Sequence, residues 1–392
     1  MREENVTPIQ GAARRTACVA SLACAAFTGL TAQSVPRWTV NATPTLTLGH
    51  DDTDPAALLQ VIVSAMRLDD GSILVGDRGE FAFKLFSPSG AFQRAFARQG
   101  SGPGEVRYLI RPLRCGDALY ATDVEEGHLV SVFTLEGRFM RSFRYRMPPQ
   151  QQAPYSSACN AAGQFVHFGW DTRTERRGGI HRAAVPVWTT TADTTAPKML
   201  DSIPGSERWG FVEGGRVVGS RPLPLGKQPV LGIGRTRIYV GSADRFEIRA
   251  YDLSGRPAQA LRRPGQPESV EKADIESEIE RAVAETGGTR RAAVEASYAA
   301  LTFPPTLPAY TALVVDAEDR VWVRAFARGS ASAARWYVFD ATGALLAEVE
   351  LPKALSVYEI GTDYVLGRYL DPDESIPLVR IYRLTRGVTG RQ

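Results

Sequence analysis

The chain has 392 residues, of which 44% are apolar and 23% charged, a balance that is ordinary for a globular protein with a large buried core. Its formal net charge is only +3, which argues against nucleic-acid binding because basic patches dominate that class of protein.

The first 32 residues resemble a secretory signal sequence. Arg14 and Arg15 form a basic start, and the stretch 16–30 that follows them carries no charge. This stretch is shorter than the about 20 residues that a membrane-spanning helix needs. Leu30-Thr31-Ala32 then offers a cleavage site of small residues. We therefore expect residues 1–32 to be removed after export.

Lipid attachment at Cys24 is the alternative fate of this leader. Ser21 stands where such a signal usually has leucine, and the apolar run before Cys24 is very short, so the pattern disfavours a lipoprotein. Residues 33–392 contain no other segment that could span a membrane. We expect them to form one domain in the periplasm or outside the cell.

One pattern of turns and short strands recurs along the chain. In its first copy the polar turn 69–72 leads into the apolar strand 73–75, and the turn 77–80 leads into the alternating segment 81–87. The turn 88–90 then opens a further strand. The opening turns of six copies are marked by Gly71, Gly116, Gly163, Gly234, Asp319 and Gly361, at spacings of 45, 47, 71, 85 and 42 residues.

These spacings predict an all-β fold, a six-bladed β-propeller. The short ones match the about 40–50 residues of a four-stranded blade, and the two long ones indicate insertions. A propeller closes because each blade buries its faces against two neighbours. The sixth copy ends after three strands, and residues 43–49 upstream of the first copy could supply the missing strand.

The pattern resembles the six-bladed propellers of the NHL-repeat and TolB-like group. A short apolar strand, an Asp, a polar turn, an alternating strand and a Ser/Asp-x-Gly turn are typical of that group. The segment 98–105 (RQGSGPGE) resembles the linker after the first blade in a subset of exported bacterial propellers. The resemblance covers nearly all of residues 38–385. It implies a fold and leaves function open, because this architecture hosts binders, hydrolases, lyases and oxidoreductases.

The segment 268–303 departs from the repeat. Ile275, Ile279 and Val283 recur with helical spacing, and a Gly-containing break at 286–289 precedes a second helical pattern. We expect a helical hairpin between blades four and five. It either plugs one mouth of the propeller channel or acts as a lid or partner-docking element.

Four Asp residues follow the first strong strand of their blades and are candidates for a ligand-facing ring. Repetition equally fits a structural role, because Asp accepts backbone N–H bonds in turns. An all-carboxylate site for a divalent metal is a further alternative, although we expect neither a metal nor another cofactor. The four residues are Asp77, Asp123, Asp171 and Asp244.

Three Arg residues and one Trp lie near these positions. Such side chains could hold an acidic or planar ligand through bidentate and stacking contacts if they line one channel mouth. The alternative is that the Arg residues are ordinary surface residues of an Arg-rich chain. They are Arg78, Arg245, Arg324 and Trp170.

Cys115 and Cys159 open blades two and three. Because equivalent positions of adjacent blades are neighbours in space, we expect a disulfide between them, provided that their Cα atoms lie within about 7 Å.

Three interpretations of function remain open. The favoured one is a non-catalytic propeller that binds a small molecule, a glycan or a protein of the cell envelope. The second is a propeller hydrolase or lyase with a divalent metal in its channel, which needs oxygen ligands from several blades. The third is a structural component of the envelope, which would expose an apolar patch. The sequence contains no motif of a catalytic nucleophile or a zinc site.

Overall fold

A computed structural model describes residues 35–50, 54–109, 111–125, 128–151, 153–170, 177–191, 196–286, 288–329, 331–370 and 377–387. The predicted signal sequence and Asp171 lie outside these ranges. Antiparallel strands dominate the described part of the chain. No helix within it is long and apolar enough to cross a membrane.

The repeated part of the chain begins after two short strands, β1 (Thr39–Val40) and β2 (Leu46–Leu48), and a 3-10 turn at Pro55–Ala57. Sheet one contains β3 (Ile62–Arg67), β4 (Ile73–Asp77), β5 (Ala82–Phe86) and β6 (Phe92–Phe96). Sheet two contains β7 (Leu113–Cys115), β8 (Ala118–Asp123), β9 (Leu129–Thr134) and β10 (Phe139–Phe143). In both sheets the two middle strands are largely buried, while the last strand alternates between half-buried and exposed residues.

The third repeat contains two sheets. The described strands here are β11 (Ser156–Cys159), β12 (Gln164–Phe168), β13 (Gly179–His181), β14 (Ala184–Thr191), β15 (Lys198–Pro204), β16 (Arg208–Glu213) and β17 (Arg216–Pro222). Sheet three has the order β11-β12-β14-β15, and β13, β16 and β17 form a separate three-stranded sheet. This three-stranded sheet accounts for part of the long spacing before Gly234, and the repeat pattern did not predict it.

Sheets four and five repeat the simple order of the first two. Sheet four contains β18 (Val230–Ile233), β19 (Arg237–Gly241), β20 (Glu247–Asp252) and β21 (Pro257–Arg262). Sheet five contains β22 (Tyr310–Val315), β23 (Val321–Ala325), β24 (Ala333–Phe339) and β25 (Leu345–Pro352).

Sheet six joins the two ends of the described chain. It contains β26 (Leu355–Ile360), β27 (Tyr364–Leu370) and β28 (Pro377–Thr385). The N-terminal strands β1 and β2 both pair antiparallel with β28, so that Leu48 lies opposite Val379. The predicted closing strand within residues 43–49 is therefore present.

One turn recurs between the third and fourth strands of four sheets. Asp252 accepts a hydrogen bond from the amide of Arg256 (2.9 Å), and Asp340 accepts one from Ala344 (3.0 Å). Ser87 and Thr134 occupy the same position in sheets one and two and accept equivalent bonds. Each turn then needs a residue with a left-handed backbone, which glycine adopts without steric cost, as at Gly255 (φ 89°). Local side-chain chemistry thus specifies these hairpins.

Two helices lie within the segment predicted to be helical, α1 (Lys272–Ala284) and α2 (Arg291–Ala299). The Asp274 side chain accepts a hydrogen bond from the amide of Glu271 (2.9 Å), which fixes the start of α1. Arg328 pairs with Asp274 and with Glu268 (3.0 Å), and this ties the helix to the loop after β23.

Within the described residues the hydrophobic core consists of six clusters, each of which joins two successive sheets. Phe83 of sheet one and Phe133 of sheet two, for example, pack with ring centroids 5.9 Å apart. The other clusters join sheets two and three, three and four, four and five, five and six, and six and one. The described chain is therefore an all-β structure of the propeller type, in which successive antiparallel sheets pack face to face.

Candidate functional site

The first strands of the sheets converge on one cavity of about 660 Å³. Neighbouring first strands contact one another: β7 contacts β11, which contacts β18, and the series continues through β22 and β26 to β3. Residues of all six strands line the cavity, which we call the central cavity. Its volume is in the range typical of small-molecule sites.

Arg111 lies in the central cavity, in the loop between β6 and β7. Its guanidinium lies 5.8 Å from the centroid of the Tyr358 ring. The side chain is accessible to solvent from the cavity. The protein atoms around it displace part of its hydration, and this desolvation lowers the pKa of Arg111. Among the described residues, no side chain or carbonyl group forms a hydrogen bond or an ion pair with this guanidinium. A positive charge held in this way favours a bound anion.

Two further Arg residues lie at the wall of the central cavity. Arg114 donates hydrogen bonds to the carbonyl of Arg67 (3.1 Å) and to Asp69 (2.8 Å), and this interaction lowers the pKa of Asp69. The Arg67 guanidinium lies 4.9 Å from the centroid of the Tyr364 ring. Arg114 is therefore held in place by protein partners, while Arg67 stacks on an aromatic ring.

Glu359 is a second acidic residue beside Arg67 and Arg114. It accepts hydrogen bonds from the Tyr364 hydroxyl and from the amide of Arg67 (3.2 Å). Burial raises the pKa of Glu359, although these hydrogen bonds and the charges of Arg114 and Arg67 oppose the rise. The hydrogen-bond donors and the two positive charges around Glu359 offset the repulsion between its carboxyl group and a nearby anion.

A divalent metal does not fit the described side chains. No three His, Cys, Asp or Glu residues in the described ranges lie together as metal ligands. Asp69 and Glu359 in the central cavity have Arg, Tyr and backbone partners. We therefore derive no catalytic step through a metal.

The Asp residues of the predicted ligand-facing ring that the structure describes lie outside the central cavity. Asp77 is fully buried and accepts hydrogen bonds from the amides of Gln60, Val61 and Gly79, each at 2.9 Å. Asp123 is also buried and accepts bonds from the amides of Arg107, Tyr108 (3.2 Å) and Glu125 (3.0 Å). Both side chains bind the preceding loop and the turn that follows their own strand.

Asp244 has other partners. Its carboxylate lies 2.6 Å from Nη1 of Arg182 and accepts a hydrogen bond from the Ser242 hydroxyl (2.7 Å). Arg182 also donates to the Ser242 carbonyl, so that it joins the segment before β14 to sheet four. Asp244 and Arg245 line one small pocket of about 340 Å³.

The other predicted site residues are dispersed. The Arg78 guanidinium lies 4.7 Å from the Tyr108 ring centroid. Arg324 donates to the carbonyl of Lys353 (2.8 Å) in a cavity beneath α1, and burial lowers its pKa. Trp170 lies beside the three-stranded sheet. None of the described candidates from the sequence lines the central cavity, and only Asp244 and Arg245 share a pocket.

The predicted site residues lie at or after the second strand of a repeat, whereas the central cavity is lined by the first strands. Arg67 and Arg114 lie at or just before the turns marked by Gly71 and Gly116, at the ends of the first strands. Comparing the residues that precede each turn marker would have found both. Arg111 does not occupy a repeated position, and no sequence pattern predicts that it lines the cavity.

The predicted disulfide is confirmed. Cys115 and Cys159 are bonded, with Cα atoms 5.7 Å apart, and they join the ends of β7 and β11. Disulfides are typical of proteins that fold in an oxidising compartment.

No protein-family model matches the sequence, and no curated protein sequence matches it. Solved structures share its architecture. A member of the DUF4221 family from Bacteroides vulgatus has 9% identity and a TM-score of 0.51, with 90% of this chain and 99% of that chain covered. At this identity the likeness shows the fold alone.

Two further solved structures match most of the chain with lower scores. A candidate exported protein of Bacteroides fragilis has 13% identity and a TM-score of 0.46, with 92% of this chain and 98% of that chain covered. Virginiamycin B lyase from Staphylococcus aureus has 10% identity and a TM-score of 0.39, with 87% and 97% covered.

Proposed function

We propose that this protein is an exported six-bladed β-propeller of the NHL-repeat and TolB-like kind, which binds a small organic anion in its central cavity without changing it chemically. Sheets one to six are the blades, and β1 and β2 complete the sixth. The helices α1 and α2 form an insertion between blades four and five. The disulfide supports a location in the periplasm or outside the cell.

One observation carries the binding function: Arg111 stands in a cavity enclosed by the first strands of six sheets, and no described residue neutralises it. The Arg111 guanidinium is accessible to solvent and has no carboxylate partner among the described residues, so a ligand that enters the cavity can reach it. A carboxylate or phosphate group would supply the missing partner, and its charge-assisted hydrogen bonds to a guanidinium are strong and directional.

The rest of the cavity supports an anion of small size. Arg67 adds a second positive charge at the wall. Three acidic residues of the lining are already paired: Asp69 with Arg114, Asp316 with Arg386, and Glu359 with Tyr364. Ser156 on β11 lines the cavity and could donate a hydrogen bond to a further oxygen atom of a ligand. A cavity of about 660 Å³ accommodates a di- or tricarboxylate with its bound water.

Calorimetric titration of the purified protein with citrate, succinate and inorganic phosphate tests this proposal, with glycerol as a neutral probe. We expect one equivalent of at least one anion to bind and to raise the unfolding temperature. Arg111→Gln should weaken this binding about tenfold to a hundredfold, because a hydrogen bond between charged groups is lost.

Arg245→Gln is the matched control, because Arg245 lies outside the central cavity. This variant should bind the anion as the wild type does. Absence of binding for all three anions, or equal affinity of the wild type and Arg111→Gln, would contradict the proposal.

A further inference from the structure

A second concave surface lies between sheet three and the three-stranded sheet. It encloses about 350 Å³, and we call it the aromatic cleft. Its described lining includes Tyr155 and Trp170 on one side and His181, Arg208 and Val218 on the other. The central cavity shares none of these residues.

The aromatic side of the cleft is exposed to solvent. Trp170 is 47% and Tyr155 39% exposed, and their rings meet edge to face with centroids 4.6 Å apart. The Tyr155 ring also stacks on Phe168, at 5.3 Å. Leaving two large rings in water forgoes hydrophobic stabilisation, and exposed apolar groups in a concave site mark a binding surface.

The backbone of Trp170 is held by a buried side chain. Gln151 accepts a hydrogen bond from the Trp170 amide (2.8 Å) and donates one to its carbonyl (3.1 Å). Gln151 is only 8% exposed. A Cβ atom at Gly169 would collide with the Gln151 amide, so this close approach requires glycine. The indole is therefore presented to solvent from a fixed backbone, which lowers the entropy cost of binding.

The opposite side of the cleft carries positive charge. Arg208 donates to the hydroxyl (3.0 Å) and the carbonyl (2.8 Å) of Ser220, and no described carboxylate pairs with it. His181 lies directly across the ladder from Arg208. No Asp or Glu is among the described residues that line the cleft, so the charge favours an acidic ligand.

We propose that the aromatic cleft binds an acidic saccharide, a sugar ring that carries a carboxylate. The C–H bonds of a pyranose chair point both from its faces and from its rim, and two rings at about a right angle can contact both sets. A flat aromatic ligand could stack on only one of the two. The carboxylate would pair with Arg208, and Ser220 could bind a hydroxyl group.

Titration with tetragalacturonate, followed by tryptophan fluorescence and by calorimetry, tests the inference, with maltotetraose as the neutral probe. Trp38, Trp188, Trp322 and Trp336 are at most 8% exposed, and Trp209 is partly buried. The part of the emission change that Trp170→Phe removes therefore reports on Trp170. We expect tetragalacturonate to bind at least tenfold more tightly than maltotetraose.

Three variants separate the contributions. Trp170→Phe should lose the fluorescence change and keep calorimetric affinity within about threefold, because a ring remains. Trp170→Ala should weaken binding about tenfold or more. Arg208→Gln should weaken tetragalacturonate about tenfold and leave maltotetraose unchanged.

Two results would overturn the inference: no binding of tetragalacturonate at 10 mM, about the limit of a weak specific site, or wild-type affinity in both Trp170→Ala and Arg208→Gln. If Trp170→Ala fails to fold, Arg208→Gln decides alone. Arg111→Gln serves as the control for the central cavity and should bind tetragalacturonate normally, so the two proposed sites can fail independently.

Discussion

The Nε2 atom of His167 lies 2.8 Å from the hydroxyl of Thr190, inside sheet three. The other ring nitrogen lies 2.6 Å from the Ser157 hydroxyl, and His167 is fully buried. Burial lowers the pKa of His167 from 6.5 to about 3. Two hydroxyl groups can each act as donor or acceptor, so they satisfy a neutral imidazole without a charged partner.

This arrangement predicts an acid-sensitive fold. The unfolded chain binds a proton at His167 below pH 6.5, whereas the folded chain does so only near pH 3. Stability should therefore fall as the pH drops from 6.5 towards 3, by about 3 kcal/mol at pH 4.5. Urea unfolding of the wild type and of His167→Gln at pH 7.5 and 4.5 measures this contribution. It is the difference between the two proteins in the free energy of unfolding that each loses between the two pH values.

His167→Gln loses the stacking of the imidazole on Trp188 (5.3 Å) and should be less stable at both pH values. Its loss of stability between pH 7.5 and 4.5 should nevertheless be smaller than that of the wild type. Equal pH dependence in the wild type and His167→Gln would show that His167 is not held neutral.

The disulfide between Cys115 and Cys159 should stabilise the fold measurably. It closes a loop with a sequence separation of 44 residues, and constraining a loop of this length in the unfolded chain contributes about 2–4 kcal/mol. Urea unfolding with and without a reductant should show this loss for the wild type. The double variant Cys115→Ala/Cys159→Ala should be destabilised at least as much and should not respond to the reductant; a response would contradict the assignment.

The hairpins and the disulfide could be predicted because local chemistry specifies them. The Asp252 turn needs an oxygen acceptor and a glycine three residues later, and both are visible in the sequence. Cys115 and Cys159 occupy equivalent positions of a repeat, and equivalent positions of neighbouring sheets lie close together. The predicted helical pattern likewise depends on apolar residues that recur within one segment.

The three-stranded sheet could not be predicted in the same way. Strand β13 pairs with β16 across two intervening strands of another sheet, and this pairing leaves no periodic signal. The central cavity depends on the convergence of six strands that are distant in sequence. The role of Arg111 could not be predicted for the same reason, because no residue next to it in the sequence indicates that Tyr358 lies beside its guanidinium.

Asp77 gives the sharpest distinction between a structural and a ligand-binding role of the recurrent Asp residues. Its carboxylate accepts three backbone hydrogen bonds in a fully buried position. Asp77→Ala leaves three amide groups without an acceptor and should lower the free energy of unfolding by about 3 kcal/mol. Asp77→Asn retains one acceptor oxygen and should cost less. Asp117→Asn, at an exposed position in a turn, is the control and should change stability by less than about 0.5 kcal/mol.

Ligand affinity then separates the two roles. Asp77 lies outside the central cavity, so Asp77→Asn should bind citrate, or whichever anion the wild type binds, with unchanged affinity once the folded fraction is taken into account. If Asp77→Asn keeps wild-type stability and loses anion binding, the recurrent Asp residues face the ligand after all. A destabilised protein with intact binding would show that Asp77 stabilises the hairpin and the loop before it. Asp123 accepts hydrogen bonds from amides at equivalent positions and should then behave in the same way.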